Sequence, residues 1–266
     1  PDSIMLIVSP GCCGRNTSVL SSMRAYHDRF YYLLMDETDI VTGRHLKKIP
    51  KAVAEICEEL EKKPSVVMIC ITCVDALLGT DMERVCHKAE EYAGIPVRPC
   101  YMYALTREGR KPPMVHVRQS IYSLLEPKKK KGNVVNLLGY FSPLTDDCEL
   151  YDLLHGAGVK TIHEISRCKD YAQYQTMSEA NFNLVLHPEA RFAAEDFHDR
   201  LKIPYIELRR LYQIDKIASQ YRALAAALGV EFEDEINRTS LIVFHALQAE
   251  HCPCQRENSA PQSLHT

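Results

Sequence analysis

Short apolar runs alternate with amphipathic segments through the first half of the chain. Four of these runs predict buried strands, at residues 4–8, 31–35, 66–71 and 95–98. The intervening segments predict helices at residues 18–28, 50–62 and 81–92, with Pro50 in a first turn and Asp81 as an N-cap. Around the second helix, apolar residues recur at spacings of three and four, which predicts one buried face: Leu46, Ile49, Val53, Ile56 and Leu60. Strands that alternate with helices indicate a parallel sheet flanked by helices.

The second half repeats this alternation after a run of four lysines. A predicted helix at 115–125 is followed by Glu126-Pro-Lys-Lys-Lys-Lys-Gly132, which predicts a solvated linker, with a nucleic-acid contact as the less favoured alternative. Beyond it, strands are predicted at 133–138, 159–164, 183–187 and 204–208, and helices at 146–155, 190–201, 213–228 and 234–249. The sequence therefore predicts an α/β protein with two consecutive Rossmann-like domains. Their bounds are 1–127 and 133–250, with a linker at 128–132 and a disordered tail at 251–266.

Composition narrows the class of protein. The formal net charge of −3 argues against a nucleic-acid binder. No apolar run approaches the ~20 residues that a membrane-spanning helix needs. The eleven cysteines are odd in number, and several fall inside predicted strands and helices, unlike the cysteines of a small secreted disulfide framework. We therefore expect a cytoplasmic protein with free thiols. No segment has the pattern of a signal peptide, and Pro1 in place of an initiator Met suggests a processed or cut chain.

Thiols follow three of the predicted strands. Cys12 and Cys13 come after the first strand, Cys73 directly follows the third, and Cys100 is expected in the loop after the fourth. Because ligands bind outside the carboxyl ends of parallel strands, these loops are candidates for chemistry. Thiolates are soft ligands suited to iron–sulfur clusters, zinc or copper(I). From the spacing alone, two interpretations of Cys13 and Cys73 are equally favoured: a metal site, or plain packing of the thiols. Packing is favoured for the cysteines on predicted helices or within a strand: Cys57, Cys70, Cys86, Cys148 and Cys168.

Five segments, taken in order, resemble the motifs of one known family. They are Ser9-Pro-Gly-Cys-Cys-Gly14, Glu37-Thr-Asp-Ile-Val-Thr-Gly43, Thr72-Cys-Val-Asp-Ala-Leu-Leu-Gly-Thr-Asp-Met82, Asn183-Leu-Val-Leu-His187 and Lys202-Ile-Pro-Tyr-Ile-Glu207. From about residue 3 to 250 the chain is similar to the nitrogenase component 1 type oxidoreductases. That family includes the molybdenum–iron protein subunits, their cofactor-assembly scaffold, the dark protochlorophyllide reductase and the nickel-tetrapyrrole reductive cyclase. The order and spacing of the segments carry the resemblance, and no single motif does.

The resemblance implies an iron–sulfur centre. Cys13 and Cys73 fall on two cluster cysteines of the family. The family's third cluster cysteine lies upstream of the first strand; here either it is lost, or Cys12 or another group stands in for it. The cluster would be a [4Fe–4S] centre shared with a homologous subunit, in a homodimer or a heterodimer. An ATP-dependent iron–sulfur reductase would dock there and pass electrons. The favoured function is electron relay within an oxidoreductase that acts on an unsaturated small molecule or a tetrapyrrole.

The second domain is expected to bind a second metallocofactor or a tetrapyrrole substrate through Tyr140, Ser142, Arg167 and His187. His187 falls where the family's catalytic subunit has a cofactor cysteine, although a plain polar strand end is the favoured alternative. The sequence also departs from the family: Val74 replaces a Pro, and the third α/β domain is not found. These departures keep open a non-catalytic scaffold or an assembly or regulatory protein. A cluster-free, ligand-binding pair of α/β domains is the third interpretation.

Overall fold

The computed structural model describes residues 2–14, 18–19, 27–101 and 112–230. The predicted helix at 18–28 falls largely outside these ranges, and the predicted helix at 234–249, the tail at 251–266 and Cys252 and Cys254 lie wholly outside them. No helix in the described part of the chain combines the length and apolar character needed to span a bilayer. The chain divides into two units, one of residues 1–126 with 169–175 and one of residues 127–168 with 176–266.

The first unit is built on a four-stranded parallel sheet with the order β2-β1-β3-β4. Its strands are β1 (Ser3–Ser9), β2 (Phe30–Leu34), β3 (Val66–Ile71) and β4 (Val97–Tyr101). Its first five described helices are α1 (Glu37–Thr42), α2 (His45–Glu59), α3 (Cys73–Leu78), α4 (Met82–Ala93) and α5 (Pro113–Tyr122). Ile49 and Val53 of α2 are fully buried against the sheet, so the predicted apolar face is confirmed. The predicted N-cap is also confirmed, because the Asp81 carboxylate accepts the Arg84 N–H at 3.1 Å.

The second unit has the same architecture, a four-stranded parallel sheet with the order β6-β5-β7-β8. Its strands are β5 (Val134–Leu138), β6 (Thr161–Glu164), β7 (Phe182–Val185) and β8 (Tyr205–Glu207). The later helices are α6 (Glu149–Gly156), α7 (Tyr171–Gln175), α8 (Arg191–Leu201) and α9 (Ile214–Leu228), of which α7 belongs to the first unit. Two parallel sheets flanked by helices confirm the predicted fold class.

Each sheet has a topological switch point, where neighbouring strands send their connections in opposite directions. In the first sheet β1 leads outward to β2, whereas β3 leads to β4 on the other side. In the second sheet β5 leads to β6 and β7 leads to β8 in the same way. In open α/β sheets the crevice outside the carboxyl ends of such a strand pair is where ligands bind. The loops after β1 and β3, and those after β5 and β7, are therefore the positions for chemistry.

Three local predictions were wrong. Pro50 lies inside α2 rather than in its first turn, because the helix begins at His45, two residues after Gly43 ends α1 in a left-handed conformation. Cys100 lies in β4 and is buried, since the ladder with β3 continues to Tyr101. Pro99, which has no N–H to donate, is tolerated within β4 because this is an edge strand.

The third wrong prediction concerns the lysine run, which is not wholly solvated. The Lys130 ammonium is half-buried and donates to the Ser178 carbonyl at 2.6 Å, and burial lowers its pKa. The Lys131 N–H donates to the Glu179 carbonyl at 2.8 Å. Lys128, Lys129 and Lys131 are exposed, so the expected solvated character fails only at Lys130.

Candidate functional site

The thiol loops of the first unit meet at its switch point. Residues 11–14 form a helical turn after β1, in which the Cys13 N–H donates to the Pro10 carbonyl at 3.1 Å. This turn leaves Cys12 and Cys13 exposed, with their Sγ atoms 3.9 Å apart. Cys73 is half-buried and begins α3, two residues beyond the end of the neighbouring strand β3. The structure thus brings all three predicted metal ligands to one edge of one sheet.

Cys12 and Cys73 influence the ionisation of Cys13. Partial burial raises the pKa of the Cys13 thiol above its usual value, and so do the hydrogen bond with Cys12 and the negative charges that Cys12 and Cys73 acquire when ionised. Thiolate ligands must be deprotonated, so a bound cation would reverse this effect and release protons. Among the residues that the structure describes, no group of three or more His, Cys, Asp or Glu side chains is arranged to hold a metal ion. A complete ligand set would therefore need sulfur atoms from beyond these residues.

A buried pair beside the thiols was not predicted from the sequence. His45 at the start of α2 places Nε2 3.1 Å from Oδ1 of Asp75, and both side chains are almost fully buried. His45 Nδ1 lies 3.0 Å from the Asp39 carbonyl, which only accepts, so Nδ1 carries a proton. Burial raises the pKa of Asp75 and the facing imidazole opposes that shift. The pair therefore shares one proton and joins the segment after β2 to the helix that carries Cys73.

Asp39 fixes the loop after β2. Its backbone N–H donates to the Asp36 carboxylate at 2.6 Å in a reciprocal capping box at the start of α1. Its own carboxylate lies 2.6 Å from Lys48 Nζ and 3.2 Å from Arg44 Nε, and the hydrogen bond from Lys48 is the main cause of its lowered pKa. The acidic segment of the sequence motif, together with Lys48, thus has a structural role at this edge.

Large apolar side chains are exposed next to the thiols. Leu34 ends β2, Val41 lies on α1, and Leu77 and Leu78 lie on α3, all in segments at the carboxyl edge of the first sheet. Their exposures range from 51% to 85%. A group of exposed apolar residues of this kind is typical of surfaces that contact other molecules.

The switch point of the second unit brings Tyr140 and His187 together. Their rings meet edge to face with centroids 5.6 Å apart. Gly139 at the end of β5 has φ of +144°, and a Cβ there would lie 2.8 Å from the His187 backbone nitrogen. Only glycine fits this approach of the two loops. A cavity of about 300 Å³ opens here, lined by Tyr140, Val185, Leu186, His187, Pro188, Glu207, Leu208, Arg209 and Arg210.

Hydrogen bonding assigns the tautomer of His187. Its Nδ1 accepts the backbone N–H of Glu189 at 3.3 Å, so the proton of the neutral ring resides on Nε2. Nε2 would coordinate a metal only if the proton moved to Nδ1, where the Glu189 carboxylate lies 3.7 Å away.

The other predicted second-unit residues lie elsewhere. Arg167 follows β6 and pairs with Glu164 at 3.0 Å and Asp146 at 2.6 Å, which holds the pKa of the guanidinium above its usual value. Ser142 is exposed, and neither Ser142 nor Arg167 lines the cavity. Arg209 and Arg210 do line it and were missed by the sequence reasoning. The signal was present, because both follow a strand, β8, at its carboxyl end.

The fold and the two switch points define a two-unit α/β protein with a thiol-bearing crevice in its first unit. A family model described as nitrogenase component 1 type oxidoreductase matches residues 1–252. The chain therefore belongs to the nitrogenase component 1 type oxidoreductase family, as its motifs predicted.

Similar curated proteins are named for cofactor assembly. The nitrogenase iron-molybdenum cofactor biosynthesis protein NifE of Nostoc sp. is 27% identical over 236 residues, which cover 86% of this chain and 48% of the relative. NifE of Klebsiella pneumoniae is 26% identical over 229 residues, which cover 81% of this chain and 49% of the relative. The chain thus spans about half the length of these curated relatives.

Solved structures share the fold. "Nitrogenase Cp1 at pH 6.5" superposes with a TM-score of 0.64 at 18% identity, covering 88% of this chain and 56% of that one. "Nitrogenase Cp1 at pH 5" gives a TM-score of 0.61 at 20% identity, covering 94% of this chain and 52% of that one. At these identities the likeness is one of fold alone.

Proposed function

We propose that the protein is an assembly scaffold of the nitrogenase component 1 type, which holds an iron–sulfur cluster through Cys13 and Cys73, with Cys12 as a substitute ligand. The observation that carries the proposal is the placement of both family thiol loops at one switch point. The donor set fits, because exposed and half-buried thiols are the ligands that iron–sulfur clusters take. When bound, the cluster would supply the redox chemistry, while the chain would supply its ligands and its surroundings.

The comparisons support a scaffold better than an electron-relay subunit. The curated relatives named above are cofactor biosynthesis proteins. We therefore favour cluster holding without turnover. Electron relay, in which an ATP-dependent iron–sulfur reductase supplies the electrons, is the alternative that the turnover experiment below would detect. A cytoplasmic location remains a prediction.

The partner we propose is a second copy or a homologous subunit that meets the first unit at its thiol edge. Two cysteines from each of two chains would supply the four thiolates that a [4Fe–4S] cluster needs. The exposed Leu34, Val41, Leu77 and Leu78 support contact at this edge, since burying them would stabilise the association.

Anaerobic purification with iron and sulfide analysis tests the proposal. We expect about four iron atoms per dimer, an absorption band in the visible range, and a dimer by light scattering. Added reductase and ATP should give no turnover. Turnover under those conditions would support electron relay instead. A chain that takes up no iron, even after reconstitution with iron and sulfide, would leave the cluster-free ligand-binding interpretation.

A further inference from the structure

We propose that Cys70 and Cys100 form a redox-active dithiol, in which Cys70 is the sulfur that a small disulfide modifies and Cys100 is the thiol that resolves the product. The two residues lie on neighbouring strands of the first sheet, and neither is a proposed cluster ligand. The inference therefore does not rest on the scaffold function.

The strand register places the two thiols side by side. Cys70 of β3 is paired directly with Cys100 of β4 in the parallel ladder. Paired residues of neighbouring strands point to the same face of the sheet, because successive side chains alternate between its faces. Neighbouring strands are about 4.8 Å apart, and the two Cα atoms of a disulfide are about 4.4–6.8 Å apart. The backbone spacing of this pair is therefore compatible with a disulfide.

The pair lies on the face of the sheet opposite the apolar core that α2 and α4 form with it. Ile69 and Ile71 flank Cys70 along β3 and are buried in that core, as is Val97 of β4. Cys70 and Cys100 alternate with these residues along their strands, and the core does not include them. Packing within that core therefore does not explain the two thiols.

The two thiols differ in access and in proton affinity. Cys70 is half-buried, whereas only 2% of Cys100 is exposed. The hydrogen bond between the thiols lowers the pKa of Cys70 and raises the pKa of Cys100. The proton is therefore held on the buried sulfur, and the more accessible sulfur is the one that ionises. Because the thiolate is the nucleophile, Cys70 is the sulfur that reacts with an external disulfide.

A buried cysteine of the same unit shows what the pairing adds. Cys86 on α4 is as buried as Cys100, and burial raises its pKa to about 12. Burial also acts to raise the pKa of Cys70, but the hydrogen bond with Cys100 outweighs that effect. The neighbouring thiol thus makes Cys70 a better nucleophile than burial alone would allow.

The proposed reaction is a thiol–disulfide exchange with a small disulfide, RSSR. The Cys70 thiolate attacks one sulfur of RSSR, which forms the mixed disulfide on Cys70 and releases RS⁻. Cys100 then gives its proton to RS⁻, and its sulfur attacks Cys70 Sγ and expels a second RS⁻. The protein loses two electrons and gains one S–S bond. The small disulfide accepts these electrons and leaves as RSH and RS⁻.

Peptide mapping of the full chain after anaerobic treatment with hydroxyethyl disulfide tests the proposal. Remaining thiols are blocked with N-ethylmaleimide before digestion, so that no further exchange occurs. We expect a disulfide between the tryptic peptides of residues 63–84 and 89–107, which carry Cys70 and Cys100. Cys73 lies on the first of these peptides, so fragment ions must assign the bond to Cys70. Cys86 should remain unmodified, because it is buried and protonated.

Two serine variants separate the roles of the two thiols. Cys100→Ser retains a hydrogen-bond donor but has no resolving sulfur, so the mixed disulfide on Cys70 should accumulate. Cys70→Ser should leave Cys100 unmodified, since Cys100 is buried and holds its proton. Cys86→Ser is the matched control, and it should form the Cys70–Cys100 bond to the same extent as the parent chain. Melting temperatures verify that each variant is folded.

Three results would overturn the proposal. The first is absence of a Cys70–Cys100 bond from the parent chain after prolonged treatment. The second is a folded Cys100→Ser chain without an adduct on Cys70. The third is an adduct on Cys100 in Cys70→Ser that equals the adduct on Cys70 in Cys100→Ser. The first result needs only the parent chain, so the proposal can be refuted even if a variant does not fold.

Discussion

The two units have the same strand order and the same kind of switch point, yet carry different chemistry. The crevice after β1 and β3 presents sulfur from Cys12, Cys13 and Cys73, whereas the crevice after β5 and β7 presents the rings of Tyr140 and His187. Topology thus sets where a site forms, and the few residues that follow each strand set what it can bind.

The two crevices also differ in how they are closed. In the second unit Gly139 lets two loops touch, and Tyr140 packs on His187, so the crevice is shaped by its own unit. In the first unit Cys12 and Cys13 stay exposed beside exposed apolar residues. Within the described residues the thiol edge is thus open, whereas the second crevice is shaped by contacts within its own unit.

Removing a cluster thiol should have the largest effect. We expect Cys13→Ala and Cys73→Ala each to lose the visible absorption and nearly all bound iron, because a cluster that lacks a ligand is not retained. Cys168→Ala is the matched control in the second unit, since this thiol donates to the Glu164 carbonyl at 3.4 Å and is not one of the proposed ligands. Full iron content in Cys13→Ala would show that the assignment is wrong.

The buried pair beneath the thiol edge should give the next largest effect. His45→Ala leaves the Asp75 carboxyl buried without its partner, so we expect a loss of about 3 kcal/mol in the free energy of unfolding. Arg167→Gln in the second unit should cost only about 1 kcal/mol, because Arg167 is partly exposed and Glu164 keeps the Leu144 N–H at 3.0 Å. Urea unfolding measures both. Equal losses of stability in His45→Ala and Arg167→Gln would contradict the expected difference between the two units.

The sequence predicts the fold well because its signals are local. Apolar runs and helical spacing depend on neighbouring residues, so all eight described strands overlap predicted ones. The thiol edge follows from the same rule applied to strand ends. The pairing of His45 with Asp75 joins residues thirty positions apart, and the turn of Arg167 toward Glu164 and Asp146 is set by tertiary contacts. Neither has a local sequence signal, which is why the first was missed and the second misplaced.

Closure of the second crevice can be tested at one glycine. Gly139→Ala should destabilise the protein by about 2 kcal/mol, because the residue has a positive φ and the new Cβ would meet the His187 backbone. Gly14→Ala in the first unit should cost less than about 1 kcal/mol, since its Cβ would meet only side-chain atoms, those of Ser9 at 3.1 Å, Tyr32 at 3.4 Å and Leu34 at 3.9 Å. Urea unfolding measures the loss of stability in both variants. An unchanged free energy of unfolding in Gly139→Ala would contradict the close approach of the Gly139 and His187 loops.

Acid should weaken the loop beside the thiol crevice in a predictable direction. The pKa of Asp39 is lowered in the folded state, so its contribution is present above the unfolded pKa, about 3.9, and is lost as pH falls through the folded value. The stability difference between the parent chain and Asp39→Asn should therefore shrink below about pH 4. Asp75, whose pKa is raised by burial, should show the opposite trend in Asp75→Asn. Urea unfolding at a series of pH values from 7 to 3 measures both stability differences. A difference that does not change with pH would contradict the direction of the pKa shift given for that carboxyl group.

If the two units are separate domains, a protease should cleave the chain between them. Trypsin should cleave after Lys128 or Lys129 a few-fold faster than after Lys130, whose ammonium is bound to the Ser178 carbonyl. Resistance throughout the run would count against two domains.

The nicked chain should nevertheless stay together under native conditions. Helix α7, which lies beyond the cut, belongs to the first unit: the Tyr174 hydroxyl donates to the Ile121 carbonyl at 2.6 Å, and Gln175 Nε2 donates to the Leu124 carbonyl at 2.7 Å. The two fragments should co-elute in gel filtration and separate only in denaturant. Tyr174→Phe removes one of these bonds, worth about 1 kcal/mol, and should make separation easier. Fragments that separate without denaturant would show that α7 does not hold the first unit.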